Sequence, residues 1–380
     1  MGKADVVVVG GGVVGLSTAY NLAKRDVKKV AVLERRYVGS GASTRNACGI
    51  TDQLGAKENI ALAKESKKIY ENLSKELSFN ILYVRGGGLI IATTEREARI
   101  LRDNVATQNS LGVNSRLLTP GEVRELVPCI NGEAVINASY DPTDCKAHHD
   151  AVVWAYERAA KRLGVEINTY TEVKAIEVEG GKVRSVITDR GDVETEVVVN
   201  AAGMFSSDVA KMAGIELPIK LRRVEAMVTE SLKYFLDPRI LSLNEHLFLT
   251  QTLRGELMGG MAVDEKLHDV TLQSSLSFLE AFSKKIVKLI PRMQFLNMIR
   301  QWVGYFDVTP DGSPIIGPVD EVEGFVQANG FNGYGFTLAP IIGKLVAEWI
   351  TTGKTSIPIE PYNLNRFKED RLLPENTVFH

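Results

Sequence analysis

Three glycines near the start of the chain have the spacing of a turn that binds the phosphates of a dinucleotide. Gly10, Gly12 and Gly15 follow a run of four valines and precede an amphipathic stretch that ends near Lys24. In such a turn the first glycine permits a tight reversal, the second lets backbone amides approach a pyrophosphate, and the third lets the helix pack closely on the strand. The helix would also present its positive end to the phosphates. The pattern therefore predicts a dinucleotide site.

Glu34 is the acidic residue that this kind of site has at the end of its second strand. It follows the apolar run 30–33 and lies roughly 20 residues beyond the last glycine, as the fingerprint expects. We expect its carboxylate to accept hydrogen bonds from the adenosine ribose. Its negative charge disfavours a cofactor that carries a ribose 2′-phosphate, because two anions would meet. The motif by itself leaves FAD and NAD both open.

Further segments have the small residues that close contact with a ligand requires. Residues 39–50 are polar and rich in glycine, so this loop could wrap a ligand. Gly330, Gly333 and Gly335 open a helix late in the chain and supply a second positive helix end. The buried run 196–200 also breaks at a turn of small residues. We expect these distant segments to fold around one nucleotide.

The elements that must position these segments alternate along the chain. Residue patterns predict helices over 57–77, 94–109, 150–163 and near 277–289, and a hairpin that turns at 179–182. The fold class that follows is α/β, with a Rossmann-like nucleotide-binding domain and an interleaved α+β substrate domain on a mixed or antiparallel sheet.

The domain division places segments of both domains in alternation. We assign residues 1–82, 140–218 and 303–380 to the nucleotide-binding domain, and residues 83–139 and 219–302 to the substrate-binding domain. The polar end of the chain after Pro358 lacks a clear core pattern, so it is either a docking arm or a loose end.

Composition narrows the class of protein and its compartment. The chain has 380 residues, a formal net charge of -2 and a pI near 6.3, which gives no electrostatic reason to expect nucleic acid. Cys48, Cys129 and Cys145 form no CxxC pair, so we expect neither a metal cluster nor a disulfide framework. We expect no signal peptide and no membrane span. We expect a cytoplasmic location, either free or peripheral to a membrane through a partner.

Taken together, these motifs resemble a family of FAD-dependent amine oxidoreductases, the group of glycine oxidase, sarcosine oxidase and D-amino-acid oxidase. The resemblance covers nearly the whole chain and rests on the turn at 10–15 with Glu34, the loop 39–50, and the segments 197–206 and 304–337. It is strongest toward the catalytic β subunits of archaeal dye-linked L-proline dehydrogenases, through the segments 141–144, 249–252 and 330–336. The resemblance implies FAD rather than NAD.

The resemblance also implies which residues hold FAD, with the isoalloxazine ring over the loop 39–50 and the helix start at 333–337 on its pyrimidine side. These residues are Gly10, Gly12, Val13, Val14, Gly15, Glu34, Arg35, Ala42, Ser43, Thr44, Arg45, Asn46, Gly49, Val173, Ala201, Ala202, Gly203, Gly304, Gly330, Gly333, Tyr334, Gly335, Phe336 and Thr337. Gly304 and Asn46 stand where tethered relatives have a Cys or a His. We therefore predict non-covalent FAD.

The activity that the resemblance implies is oxidation of a small amino acid or secondary amine, of the proline, sarcosine or glycine type, to the imine by hydride transfer to flavin N5. The oxygen-activating Lys of the oxidases would fall in the segment 256–259, which has no Lys, so we expect a dehydrogenase. Its electrons would pass to a dye, a quinone or a partner subunit, in a hetero-oligomer with an electron-transfer subunit or in a homo-oligomer.

Other activities stay open from the sequence. They are an amino-acid or sarcosine oxidase that releases peroxide, a D-amino-acid dehydrogenase, a non-catalytic FAD-carrying relay subunit, and an NAD-dependent dehydrogenase.

The substrate site must use residues other than those of the relatives, because Thr337 and Phe306 stand where relatives have a Lys and an Arg. The candidates that could bind the substrate carboxylate or amine are Arg45, Arg223, Arg254, Tyr305 and Gln251. The histidines that could accept a proton from an ammonium group are His148, His149, His246 and His268. Of these, His246 has the best predicted position, at the start of a substrate-domain strand.

Overall fold

The structure is a computed structural model that describes residues 2–263 and 270–377. Its described part contains the α-helices α1 Val13–Lys24, α2 Lys57–Glu76, α3 Glu95–Ser110, α4 Pro120–Leu126, α5 His149–Arg162, α6 Ser206–Met212, α7 Leu276–Leu289 and α8 Gly335–Thr352. The strands are β1 Gly2–Lys3, β2 Val6–Val9, β3 Val30–Glu34, β4 Gly49–Ile50, β5 Val84–Arg85, β6 Gly88–Ala92, β7 Arg116–Leu118, β8 Asn137–Asp141, β9 Cys145–Lys146, β10 Glu166–Thr169, β11 Val173–Glu179, β12 Lys182–Thr188, β13 Val193–Glu194, β14 Val198–Asn200, β15 Lys220–Ser231, β16 Arg239–Ser242, β17 Leu247–Gln251, β18 Glu256–Ala262, β19 Met298–Val308, β20 Ile315–Pro318 and β21 Phe325–Asn329.

A six-stranded sheet carries the first glycine turn. Its order is β10-β3-β2-β14-β21-β20, with five parallel strands and an antiparallel edge strand, β20. Both faces of β2 are buried, so all four of its residues are valine. Val6 and Val8 pack in the core with α1, α5 and α8, whereas Val7 and Val9 pack toward α6 and the small sheet of β11, β12 and β13. This layering places the strand ends beside the start of α1.

An eight-stranded sheet forms the second layer, in the order β19-β15-β18-β17-β16-β6-β8-β7. Its pairs are antiparallel except for β16 with β6. One face packs against α7 through Phe278 and Phe282, and the other face carries Val224, Leu241 and Phe248 in a separate cluster. The predicted fold class, with its mixed sheet, is confirmed. The domain division stays a prediction, and β8 and β19 run across two of its boundaries.

The end of the chain is docked as far as residue 377. The guanidinium of Arg366 is fully buried, with Nε 2.8 Å and Nη2 3.0 Å from the carboxylate of Asp311. Its Nη1 donates to the Tyr362 carbonyl at 2.8 Å. Because a buried cation without a partner would be costly, this ion pair fixes the turn that follows Tyr362. Within residues 2–263 and 270–377, none of the helices has the length and apolar character that crossing a bilayer requires.

Candidate cofactor and substrate site

A cavity of about 650 Å³ lies between the two large sheets. Its lining includes Val9, Glu34 and Ala201, which lie at or just past the carboxyl ends of β2, β3 and β14, and Leu241 and Phe248 from the eight-stranded sheet. Ligand sites in proteins commonly measure about 300–1,000 Å³, and in open α/β sheets they lie at the carboxyl ends of the strands. Both the position and the volume suit a large nucleotide that reaches the substrate sheet.

The first glycine turn has a geometry that only glycine permits at two positions. Gly10 has φ +113°, and a Cβ there would lie 2.3 Å from the carbonyl oxygen of Ala201. A Cβ on Gly15 would lie 2.0 Å from the carbonyl oxygen of Gly10. Gly12 is the residue before α1 and lines the cavity. The turn therefore packs α1 tightly on the sheet and leaves room above Gly12 for a ligand, as a pyrophosphate requires.

The carboxylate of Glu34 is held in the cavity wall by three donors. Oε2 accepts from the backbone N–H of Gly11 at 2.8 Å, and Oε1 accepts from the N–H of Arg36 at 2.9 Å and the hydroxyl of Ser40 at 3.1 Å. The residue is only 7% exposed. Fixed acceptors of this kind suit the hydroxyl groups of a ribose and disfavour a phosphate at the same place.

The loop 39–50 forms the part of the cavity wall beside the turn, where the Gly39 N–H donates to the Gly11 carbonyl at 3.0 Å. Ser43 Oγ accepts from the N–H of Val13 at 2.9 Å, which ties the loop to the start of α1. The guanidinium of Arg45 donates to the carbonyls of Ser40 and Gly41, the latter at 2.7 Å. Trp302 in β19 donates to the Arg45 carbonyl at 3.1 Å. These contacts hold the loop between the two sheets, where its backbone can lie against a ligand.

Most of the residues that the sequence nominated for the cofactor lie in the cavity lining: Gly10, Gly12, Val13, Val14, Glu34, Arg35, Ala42, Ser43, Arg45, Asn46, Val173, Ala201, Ala202, Gly203, Gly304, Gly333, Tyr334, Gly335 and Phe336. Five nominated residues lie outside it: Gly15, Thr44, Gly49, Gly330 and Thr337. They support the walls instead, since Thr44 Oγ1 donates to the Gly39 carbonyl at 2.8 Å and Thr337 Oγ1 to the Gly49 carbonyl at 3.3 Å.

Of the substrate candidates, Arg45 and Tyr305 lie in the lining. The hydroxyl of Tyr305 donates to the carbonyl of Thr271 at 2.7 Å and accepts from its N–H at 3.0 Å. Residues 270–272 are themselves part of the lining. Tyr305 thus fixes this short segment against the cavity.

The other substrate candidates that the structure describes lie outside the cavity lining: Arg223, Arg254, Gln251, His148, His149 and His246. Gln251 is buried, and its amide bonds the backbone of Phe235 and Leu236 and the carbonyl of Gly255. It therefore serves the folding of neighbouring loops.

The charged and titratable candidates lie at other places in the fold. Arg254 has a side chain that is 78% exposed and lies beside Glu256. Arg223 is buried against Glu225, with Nη2 2.8 Å from its carboxylate. His246 lies in the turn between β16 and β17, and His148 and His149 also lie outside the lining. His268 falls outside the described residues.

Arg239, Asp307 and Thr377 are among the lining residues that the sequence did not nominate. Arg239 begins β16, and its side chain passes over Gly49, where a Cβ would lie 2.5 Å from it. Asp307 is buried, and burial raises the pKa of its carboxyl to about 6 while Oδ2 accepts from the N–H of Gly330 at 2.7 Å. Thr377 comes from the docked chain end. No local pattern marks these residues, because only the tertiary fold brings them to the cavity.

A cluster of three carboxylates lies outside the cavity. Asp52, Asp141 and Asp144 are buried, and their oxygens lie close enough together to hold a metal ion. The ammonium of Lys67 lies among them, with Nζ 2.7, 2.9 and 3.2 Å from the three carboxylates in that order. The lysine therefore supplies the positive charge at this place.

Comparison with known proteins agrees with the cavity. The family model described as FAD dependent oxidoreductase matches residues 5–349. The chain is 33% identical to sarcosine oxidase subunit beta of Rhodobacter capsulatus, over 99% of this chain and 91% of that one. Two solved structures are similar. The L-proline dehydrogenase of P. horikoshii has 35% identity and a TM-score of 0.91, and covers 97% of this chain and 99% of its own. The glycine oxidase of Geobacillus kaustophilus has 26% identity and a TM-score of 0.88, with 96% and 99% covered.

These matches decide what the glycine turn alone left open. The resemblance drawn from the motifs is confirmed, and the cofactor is FAD rather than NAD. The cradle at Gly10 and Gly12, the carboxylate of Glu34 and the cavity volume all fit that cofactor. The chain belongs to the family of FAD-dependent oxidoreductases.

Proposed function

We propose that this oxidoreductase acts as a dehydrogenase on a small amino acid or secondary amine, of the proline, sarcosine or glycine type, and yields the imine. The single observation that carries the proposal is the continuous cavity, which joins the dinucleotide turn to a partly apolar wall of the substrate sheet. The names of the relatives, a sarcosine oxidase subunit, an L-proline dehydrogenase and a glycine oxidase, support this substrate class. When bound, FAD would accept the two electrons released when the C–H bond beside the nitrogen breaks as a hydride and, with loss of a proton from nitrogen, the carbon–nitrogen double bond forms.

The apolar wall would exclude water from the reacting carbon. Val224, Ala226, Leu241 and Phe248 line the cavity from one face of the eight-stranded sheet, and Tyr305 lines it from β19. A dry surface of this kind strengthens the polar contacts beside it and holds a small substrate in one orientation.

Arg239 is our candidate for the partner of the substrate carboxylate. Its side chain lies in the cavity wall, and among residues 2–263 and 270–377 no carboxylate lies within ion-pair distance of it. Arg45 differs, because its guanidinium already donates to two loop carbonyls. A guanidinium can bind a carboxylate with two parallel hydrogen bonds, so Arg239 would orient the substrate as well as attract it.

The amine of the substrate would bind in its neutral form. In the part of the chain that the structure describes, the cavity lining includes no histidine. Proton removal from the ammonium would then precede binding. The protein's role would be positioning and desolvation, because hydride transfer from a neutral amine does not require a catalytic base.

Electron transfer to an acceptor other than oxygen is also part of the proposal. β18 has no lysine along Glu256–Ala262, and the described lining contains arginines but no lysine. Without a lysine cation near the reacting flavin ring, developing superoxide is poorly stabilised. The relative from Rhodobacter capsulatus is named as a subunit, which supports a hetero-oligomer in which a partner, a quinone or a dye takes the electrons. The three free cysteines fit a reducing cytoplasm.

Anaerobic reduction of the bound flavin tests the proposal. The FAD-loaded protein is mixed in turn with L- and D-proline, sarcosine and glycine, and the visible flavin band is followed. We expect at least one amine to bleach the band, and we expect peroxide release in air to be much slower than dye reduction. An Arg239→Met variant should keep the band and require a higher amine concentration. A band that dithionite bleaches and no amine bleaches would overturn the proposal.

A further inference from the structure

The last described segment of the protein, residues 358–377, contacts the cavity through a series of hydrogen bonds. Thr377 is 1% exposed and lines the cavity. The Tyr334 hydroxyl lies 2.7 Å from the Thr377 carbonyl and 2.9 Å from its Oγ1. The Thr377 hydroxyl donates to Glu375 Oε1 at 2.7 Å, and the Thr377 N–H bonds the same oxygen at 3.1 Å. The tail thus contacts a cavity-lining tyrosine directly.

Glu375 anchors this chain of bonds to a second part of the fold. Its Oε1 accepts from the N–H of Gly55 at 2.8 Å, and Oε2 accepts from the N–H of Ala56 at 3.1 Å and from Asn59 Nδ2 at 3.0 Å. The carboxylate therefore lies at the start of α2, where the positive end of a helix stabilises a negative charge. It is 3% exposed, so water competes little for these bonds.

Tyr334 needs a partner outside its own segment. It is the residue immediately before α8, and Gly333 and Gly335 flank it. Gly333 has φ +93°, and neither glycine has a side chain that could pack against the tyrosine ring. The side chain packs against the hydrophobic cluster that includes α1, α2 and α8, and the hydroxyl contact with Thr377 fixes its polar end.

Arg239 and Tyr334 share this end of the cavity. Both residues lie in the cavity lining. Burial and the charge of Glu375 raise the pKa of the Tyr334 hydroxyl, and the charge of Arg239 opposes this rise. A tyrosine held beside the candidate carboxylate partner would set how much room a substrate has there.

We propose that the tail, residues 358–377, is part of the functional site. Thr377, held by Glu375, positions Tyr334 in the cavity wall beside Arg239. Through Tyr334 it affects how the substrate fits and what surrounds the flavin. Thr377 and Glu375 are positioning residues, and they act through Tyr334. The substrate part of this inference rests on the proposed function, whereas the flavin part rests only on FAD in the cavity.

Three variants of the full-length, FAD-loaded protein test the inference: Tyr334→Phe, Thr377→Val and their combination. Thr377→Ser is the matched control, because it keeps the hydroxyl. One lost hydrogen bond changes an equilibrium by about three- to tenfold. We expect each single variant to raise KM for the preferred amine by about that factor, with kcat within about twofold of the wild type. The double variant should add little to Tyr334→Phe, because loss of the tyrosine hydroxyl already breaks both of its contacts with Thr377, whereas Thr377→Val leaves the contact with the Thr377 carbonyl in place.

Visible circular dichroism of the bound flavin, without any amine, supplies the second measurement. We expect the same altered spectrum in Tyr334→Phe and in the double variant, a smaller change of the same kind in Thr377→Val, and the wild-type spectrum in Thr377→Ser. Unchanged dichroism and unchanged KM in both single variants would overturn the inference, and so would effects that add in the double variant. A wild type that no amine reduces would refute the proposed function, and the dichroism would then decide the role of the tail.

Discussion

A Gly15→Ala substitution should open the dinucleotide turn and weaken FAD binding. The new Cβ would lie 2.0 Å from the Gly10 carbonyl oxygen and 3.3 Å from Val8 Cγ1. Contacts to Cβ below 3.0 Å are essentially never seen, so the start of α1 must move away from β2 by 1.0 Å (3.0 − 2.0) or more. Overpacking of this kind costs about 1–3 kcal/mol. Because the turn can relax in the free protein but must close around the pyrophosphate, most of this cost falls on binding.

The expected change in FAD affinity follows from that cost. Each 1.4 kcal/mol is about a factor of ten, so the dissociation constant should rise by about 5- to 150-fold. Titration of the apoprotein with FAD, followed by flavin fluorescence, measures it. Gly41→Ala is the matched control in the cavity wall, since φ is -89° and no atom lies within 4 Å of its Cβ. A folded Gly15→Ala protein that binds FAD as tightly as the Gly41→Ala protein would refute the reasoning.

Four further changes probe the ionised groups. Burial raises the pKa of Asp52 from 3.8 to about 7, so its contribution to stability is full below pH 3.8 and falls as pH rises toward 7. The unfolding free energy of Asp52→Asn, measured in urea, should therefore increase relative to that of the wild type as pH rises from 5 to 8. A difference that stays constant with pH would contradict this. At Asp141, burial raises the pKa, but the charge of Lys67 and the hydrogen bonds from Asp52, Thr143 and Lys67 together outweigh it and the net shift is downward, so Asp141→Asn should lose about 1–3 kcal/mol of unfolding free energy in urea at neutral pH. Arg366→Met leaves a buried carboxylate alone and should cost about 3–5 kcal/mol of unfolding free energy; a loss below about 1 kcal/mol would count against a docked tail. Glu34→Gln should weaken FAD binding about tenfold, because charge-assisted hydrogen bonds are about twice as strong as neutral ones; unchanged affinity would show that the ribose lies elsewhere.

The cofactor-binding half of the site could be predicted from the sequence because its motif lies within a short stretch of the chain. Gly10, Gly12 and Gly15 lie within one turn, and Glu34 ends the next strand, so spacing alone reports their geometry. The tight geometry at Gly10 and Gly15 and the position of Glu34 follow from the strand–turn–helix order. The same order predicted the Rossmann-like domain, and the alternating segments predicted the interleaved second domain.

The substrate half was not accessible, because its contacts join segments that are distant in sequence. Gln251 has the chemistry of a substrate ligand, yet loop backbone groups take up its hydrogen bonds. Arg239 carries the charge that the site needs, yet only the pairing of β16 with β6 and β17 brings it to the cavity. Thr377 reaches the lining only because the buried pair of Arg366 and Asp311 fixes the chain before it. A polar tail without periodicity gave no sign of this docking.

Anaerobic titration of the FAD-reconstituted protein with its preferred amine is the most direct measurement of the central claim, that one cavity holds both the flavin and the amine. We expect one flavin per chain, loss of the visible flavin band with one equivalent of amine, and full release of the flavin into the supernatant on acid precipitation. Protein that stays colourless after reconstitution, or a bound flavin that every amine leaves oxidised, would contradict it.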